Sequence, residues 1–151
     1  TREDAEISAT VANLRTLLSD VSSYYAVKGS FNGTGATAAK WKDITNVPLK
    51  GTNGAAIGDT TATTEVFLKV SDVNNCIGVK LANRNNDGTP AHIEITKKGN
   101  ATAGSVCKQV QDSEPLKAYF TSKVNGVNGA GNGTKGAIAI GSSTSVYGSK
   151  K

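Results

Sequence analysis

The sequence predicts an α+β fold in which one long N-terminal amphipathic helix packs on an antiparallel sheet of about four strands. From residue 3 to residue 27, apolar residues recur three and four positions apart, which is the spacing of one helix face. From residue 65 onward, several short segments alternate apolar and polar residues, as half-buried strands do. A length of 151 residues is usual for one domain. We therefore expect a single domain over 1–151, with the helix at 1–27, a connecting loop at 28–63, and the sheet with the cysteine-bounded segment at 64–151.

The N-terminal helix is predicted by an apolar stripe that should face the core. Acidic residues in its first turn suit the helix dipole, and Gly29 suits its end. Leu17 and Tyr24 widen the stripe, whereas charged residues such as Arg15 and Asp20 are predicted to fill the opposite side. The predicted core positions are Ile7, Val11, Leu14, Leu18, Val21 and Tyr25.

The segment 28–63 shows no sustained period and is predicted to be an irregular loop. Phe31 and Trp41 are expected to anchor it to the core, because a large aromatic side chain buries much apolar area. A ligand-binding role for Trp41 remains the alternative.

Alternation predicts strands at 65–70, 77–82, 91–96 and 136–141. A short helical turn fits 105–111, and a second helical segment follows Ser113 as its cap. Its apolar positions are Leu116, Tyr119, Phe120 and Val124. The stretch 125–134 is rich in glycine and is predicted to be a mobile surface loop.

Composition favours a secreted polar protein. Only 37% of the residues are hydrophobic, and no apolar run is long enough to span a bilayer. The chain contains no Met, so we expect it to be a mature fragment or a trimmed piece. The net charge of +5 comes from scattered lysines and arginines, which favours solubility over a dedicated nucleic-acid site.

The two cysteines, Cys76 and Cys107, show no CxxC or Cys/His spacing, which disfavours a zinc or redox site. A structural disulfide is the preferred interpretation, and two free buried thiols are the alternative. Such a disulfide would place the protein in the periplasm or outside the cell.

No catalytic constellation is predicted, and we expect neither enzymatic activity nor a cofactor. The one histidine, His92, falls on the strand face that we assign to solvent or a loop, so catalysis through it is disfavoured. The stretch 83–88, followed by Glu94, resembles a calcium-binding EF-hand loop, with Asp87 and Glu94 as the carboxylates. Because a strand is predicted where an EF-hand needs a helix, a plain turn explains the same residues better.

Asn-x-Thr sequons begin at Asn32, Asn100 and Asn132. Sequons are expected by chance in a chain so rich in Asn and Thr. They do not by themselves indicate glycosylation.

The order of these features resembles the type IV pilin family: a long N-terminal helix, a Gly/Thr-rich loop, strands, and a cysteine-closed segment. By this resemblance, residues 1–27 match the globular half of the pilin spine helix, whose apolar half would lie upstream. Residues 28–63 match the αβ-loop, and Cys76 and Cys107 match the disulfide of the D-region. In many pilins the second cysteine lies near the C-terminus, whereas residues 108–151 follow Cys107 here, which leans toward a type IVb-like or divergent arrangement.

The resemblance implies a structural subunit of a surface filament that serves adhesion, motility or DNA uptake. Its partners would be identical subunits, the pilus assembly machinery, and a host surface or DNA. It would reach the inner membrane only through an upstream apolar segment and would end on the cell surface. The alternatives are a pseudopilin of a type II secretion system, or a secreted carbohydrate-binding module that uses Trp41 or Tyr147.

Overall fold

The computed structural model describes residues 2–31, 38–71, 73–98 and 104–140. The predicted α+β class is confirmed, with five strands rather than about four. A single turn of 3-10 helix, Thr52–Gly54, lies between the first two strands. The elements in chain order are α1 (Arg2–Lys28), α2 (Trp41–Ile44), β1 (Leu49–Lys50), β2 (Val66–Val70), β3 (Val73–Ala82), β4 (His92–Lys97), α3 (Val106–Asp112), α4 (Glu114–Phe120) and β5 (Lys135–Ala139).

The five strands form one antiparallel sheet in the order β1-β2-β3-β4-β5. Val79 pairs with Val66 on one side and with Ile95 on the other, so apolar side chains of β2, β3 and β4 share one face, here called the inner face. The opposite side is called the outer face. Fully buried residues of the inner face are Val66, Leu68, Ile77, Val79, Leu81, Ile93 and Ile95.

Helix α1 packs beside β2, α2 and α3, and its buried side chains join the same core as the inner face. Those side chains are Thr10, Leu14, Leu17 and Val21. The remaining predicted positions, Ile7, Val11, Leu18 and Tyr25, are partly buried and pack against the core. The line of deepest burial therefore passes through Leu17 rather than Leu18, and it includes a polar residue, Thr10.

The connecting segment contains more regular structure than predicted. Between residues 38 and 63 it forms α2 and β1, and Lys40 bridges to Thr61. Trp41 is fully buried, and its indole Nε1 donates to the Thr64 carbonyl at 2.9 Å. Phe31 is also buried and lies against Tyr24 and Tyr25. Strand β1 escaped prediction because two residues are too few to show alternation.

Helix α4 packs directly on β5. A Cβ atom at Gly136 would collide with the backbone carbonyl oxygen of Tyr119, so only glycine allows this approach. Between these elements the chain forms two successive β-turns, closed by Val127 N to Val124 O and by Ala130 N to Val127 O. The glycine-rich segment that we predicted to be a mobile loop therefore has a defined turn structure.

The disulfide between Cys76 and Cys107 joins β3 to α3. Next to it, the buried amide of Gln111 donates to the carbonyls of Cys76 at 2.9 Å and Lys98 at 3.1 Å. Helix α3 is thus attached to the ends of β3 and β4 by one covalent bond and two hydrogen bonds.

The packing of α1 predicts a difference between two adjacent leucines. Leu17→Ala should lower the free energy of unfolding by about 2 to 5 kcal/mol, because the side chain is fully buried. Leu18→Ala, the matched control, should cost clearly less because Leu18 is only partly buried. Urea denaturation followed by circular dichroism measures both, and equal losses would contradict the observed orientation of α1.

The disulfide closes a segment with a sequence separation of 31 residues. A Cys76→Ala/Cys107→Ala double variant should therefore lose roughly 3 to 4 kcal/mol of stability, mainly because its unfolded chain is freer. The measurement is urea denaturation of the double variant beside the oxidised protein. A loss below about 1 kcal/mol would show that the bond constrains the chain little.

Candidate functional site

The side of α1 opposite its buried line carries a row of small residues, with the exposed Asp4 and Arg15 beside it. Seven exposed small residues follow one another at alternating spacings of four and three, which keeps them on one face of a helix. We call these residues, Ala5, Ala9, Ala12, Thr16, Ser19, Ser23 and Ala26, the small-residue face. An exposed helix face in water normally carries charged and large polar residues. The composition of the small-residue face is therefore unusual for a helix surface that contacts only water.

Arg2, Glu6 and Asp20 lie on a flank of α1 rather than opposite the core, whereas Arg15 is exposed next to Thr16. Arg2 donates to the Ser71 hydroxyl at 3.0 Å, and Glu6 accepts from the Ser71 backbone N–H at 3.1 Å. Near the other end, Asp20 accepts from the Thr45 hydroxyl at 2.6 Å. These contacts hold α1 to the β2–β3 turn and to the segment after α2, and they fix which side of the helix faces outward.

The outer face of the sheet combines ion pairs with buried residues, among them Phe67, His92 and Ala137. Lys98 pairs with Glu65 at 3.1 Å and lies 5.6 Å from the centroid of the Phe67 ring, which it helps to cover. Lys135 pairs with Glu94 at 3.4 Å. The seven residues of the small-residue face, in contrast, include no charged side chain.

His92 is buried, contrary to the prediction that it faces solvent or a loop. Its cross-strand neighbours are the small residues Ala82 and Ala139, which leave space for the ring. One ring nitrogen, Nδ1, lies 2.9 Å from the Pro90 carbonyl, and Nε2 lies 3.2 Å from a Glu94 carboxylate oxygen. Both nitrogens are thus occupied by structural contacts, and no nucleophile is placed beside the ring within the described residues.

The two calcium candidates serve other contacts. Asp87 lies in an exposed turn closed by Gly88 N to Asn85 O, and its carboxylate accepts from the Thr89 backbone N–H at 3.0 Å. Glu94 pairs with His92 and Lys135 on the outer face. No group of three or more His, Cys, Asp or Glu residues able to hold a metal ion occurs in the part of the chain that the structure describes.

Trp41 cannot offer a sugar-stacking surface because its side chain is fully buried. Tyr147, the other aromatic predicted for a carbohydrate site, and the sequon positions Asn32 and Asn100 lie outside the described residues. Asn132 is exposed, but its side-chain oxygen accepts from the backbone N–H groups of Thr134 and Lys135.

Two open cavities lie at the ends of the sheet and of α1. One, of about 200 Å³, lies at the β2–β3 turn beside Lys50, Lys69 and Asn74. The other, of about 360 Å³, lies at the end of α1 beside Tyr25 and Arg84. Buried small-molecule sites usually measure about 300 to 1,000 Å³. Both cavities are open rather than enclosed, so neither has the shape of an enclosed active site.

Comparison of the chain with protein-family models, with curated proteins and with solved structures finds no match. Within the described ranges, none of the helices combines the length and apolar character needed to cross a membrane.

The small-residue face was not recognised from the sequence, although its spacing is visible there. The helical pattern in the sequence is defined by the large apolar residues, whereas alanine, serine and threonine contribute little to it. Only the orientation of α1 shows that these residues all point away from the core.

The Glu94 contacts predict how stability depends on pH. Burial opposes ionisation of this carboxyl, but the hydrogen bond from His92 and the charges of Lys135 and Lys80 together lower its pKa. A lowered folded-state pKa adds stability above the unfolded pKa of about 4.3, and this contribution is lost as pH falls through the lower folded value. Glu94→Gln should therefore flatten the loss of stability between about pH 5 and pH 3.

The measurement is urea denaturation at several pH values for the wild type and Glu94→Gln. Glu114→Gln is the matched control, because the Glu114 side chain is 91% exposed and its pair with Lys117 is screened by solvent. If Glu94→Gln and Glu114→Gln give the same dependence of the free energy of unfolding on pH, the contacts of Glu94 with His92 and Lys135 add nothing to acid sensitivity.

Proposed function

We propose that the chain is the globular domain of a type IV pilin-like subunit that assembles with identical subunits into a surface filament. The observation that carries this proposal is the small-residue face of α1. Helix α1 has 27 residues and is about 40 Å long, and this face follows most of its length.

Small side chains favour close packing of helices. The distance between two packed helix axes, about 8 to 10 Å, depends on the side chains at the contact. A row of alanine, serine and threonine allows the shortest distances and loses little side-chain entropy when it is covered. The absence of charge along the row also removes the cost of burying an unpaired ion. The face therefore suits a second helix better than it suits permanent contact with water.

The remainder of the fold is compatible with a subunit that exposes the outer face of its sheet while the small-residue face of α1 is covered. The core side of α1 is occupied by the sheet, and the outer face of the sheet is charged. If copies of α1 pack together, the outer face and the turns remain on the filament exterior. Adhesion, motility or DNA uptake would then act through that exterior.

The disulfide favours a pilin over the pseudopilin alternative, because pseudopilins often lack such a bond and carry a calcium site instead. The Cys76–Cys107 bond also suits a cell-surface location, since structural disulfides persist in oxidising compartments.

The proposal is tested by placing charge on the small-residue face of the encoded full-length chain. Ala12→Glu should abolish or strongly reduce surface fibres in the producing cell, because each copy would bury an unpaired carboxylate at the helix contact. Electron microscopy with antibodies raised against this domain measures the fibres. The same antibodies should label wild-type fibres along their length.

Ala118→Glu provides the matched control, since Ala118 is an exposed alanine on a different helix, α4. It should leave fibres intact. Both purified domains should retain the wild-type melting temperature, which separates assembly from folding. Normal fibres from Ala12→Glu, or fibres that persist after deletion of the gene, would reject the proposal.

A further inference from the structure

Four Asn–Gly steps lie in the described residues, beginning at Asn53, Asn125, Asn128 and Asn132. An Asn–Gly step can deamidate without an enzyme, because glycine leaves its own backbone nitrogen open to the preceding side chain. The nitrogen must be free to attack, and the asparagine amide must be free to turn toward it. The hydrogen bonds at each step therefore determine its reactivity.

Two of the four steps are held in unreactive arrangements. At Asn132 the side-chain oxygen accepts from Thr134 and Lys135, and the Gly133 N–H donates to the Phe120 carbonyl at 3.3 Å. At Asn53 the side-chain oxygen accepts from the Asn75 amide at 2.9 Å, and the Gly54 N–H donates to the Gly51 carbonyl at 3.1 Å. In both steps the side-chain amide is held in one orientation through its oxygen, and the N–H of the attacking nitrogen is already bonded to another carbonyl.

The other two steps are open. Asn125 and Asn128 are exposed, and in the part of the chain described by the structure neither side chain has a hydrogen-bond partner. The N–H groups of Gly126 and Gly129 are also without acceptors there. The bonds that close the two turns are donated by Val127 and Ala130, so they occupy neither the asparagine amide nor the glycine nitrogen of either step.

The two open steps differ in their surroundings. Gly126 is packed against the Thr89 side chain, whereas a side chain built at Gly129 would meet only ordinary contacts at 3.9 Å or more. The turn that contains Asn128 can therefore deform more easily than the turn that contains Asn125.

We infer that Asn128, followed by Asn125, is a site of spontaneous deamidation in the folded protein, while Asn53 and Asn132 are protected. The deprotonated backbone nitrogen of the following glycine attacks the side-chain carbon Cγ. A C–N bond forms, the bond from Cγ to Nδ2 breaks, and the nitrogen leaves as ammonia. Water then opens the resulting succinimide at either carbonyl and yields aspartate or isoaspartate, with no change in oxidation state.

Each conversion adds one negative charge to a turn that precedes β5, in a chain whose formal net charge is +5. Isoaspartate also inserts an extra backbone carbon into the turn. The older molecules in a population would thus differ from new ones in charge and in backbone at one defined surface.

The experiment follows the folded protein during incubation at neutral pH. Trypsin releases residues 51–69, which carry Asn53, and residues 124–135, which carry the other three steps. Tandem mass spectrometry locates the amide-to-acid conversion within each peptide. Asn128 should convert at least about tenfold faster than Asn132 and Asn53, because a protected step must first break its hydrogen bonds.

Incubation in concentrated urea is the control, since all four steps should then convert at similar rates. The double variant Asn125→Gln/Asn128→Gln should lose most of the acidic species that isoelectric focusing detects in the aged wild type. The inference is overturned if Asn53 or Asn132 converts as fast as Asn128 in the native protein. It is also overturned if the four steps show the same order of deamidation rates in the native protein and in urea.

Discussion

The burial of one side of α1 is the constraint on which the other elements depend. The inner face of β2, β3 and β4 is fully apolar, and a sheet cannot leave such a face in water. Leu14, Leu17 and Val21 join the core with that face, and α2 and α3 pack beside the same helix. Buried side chains of α2, α3 and α4, among them Trp41, Leu116 and Phe120, complete that core beside α1. Apolar contacts hold one side of α1 to the core, and polar contacts hold the helix near both ends. The small-residue face must therefore point away from the core.

Helix α3 is short and would not be stable alone. Its seven residues are held by the disulfide and by the buried amide of Gln111, which donates to carbonyls from two separate segments. Helix α4 follows directly, and the glycine at position 136 lets β5 pass close to its backbone. These specific contacts act together with the burial of Val110, Leu116 and Phe120 in the core.

The sequence predicted the class of fold, four of the five strands and the first helix, because each of these has a strong period. The disulfide, which was preferred over free thiols, is present. What could not be predicted arises from contacts between distant segments. The burial of His92 depends on alanines from β3 and β5, and β1 exists only because β2 pairs with it.

The small-residue face depends on the rotation of α1 about its own axis. The polar residue Thr10 in the buried line hid that rotation from the apolar pattern. The turns at 124–130 are defined by local hydrogen bonds that composition does not reveal.

The two margins of the sheet also limit how copies of the protein can associate. An exposed margin with free N–H and C=O groups invites another strand to add to it and to propagate without limit. Here β1 has only two residues, and on the far side β5 is met by its own chain, with Ala137 donating to the Ser122 carbonyl at 2.9 Å. Neither margin is a long template. Within the described residues, continuous strand-to-strand stacking at these two margins is therefore disfavoured.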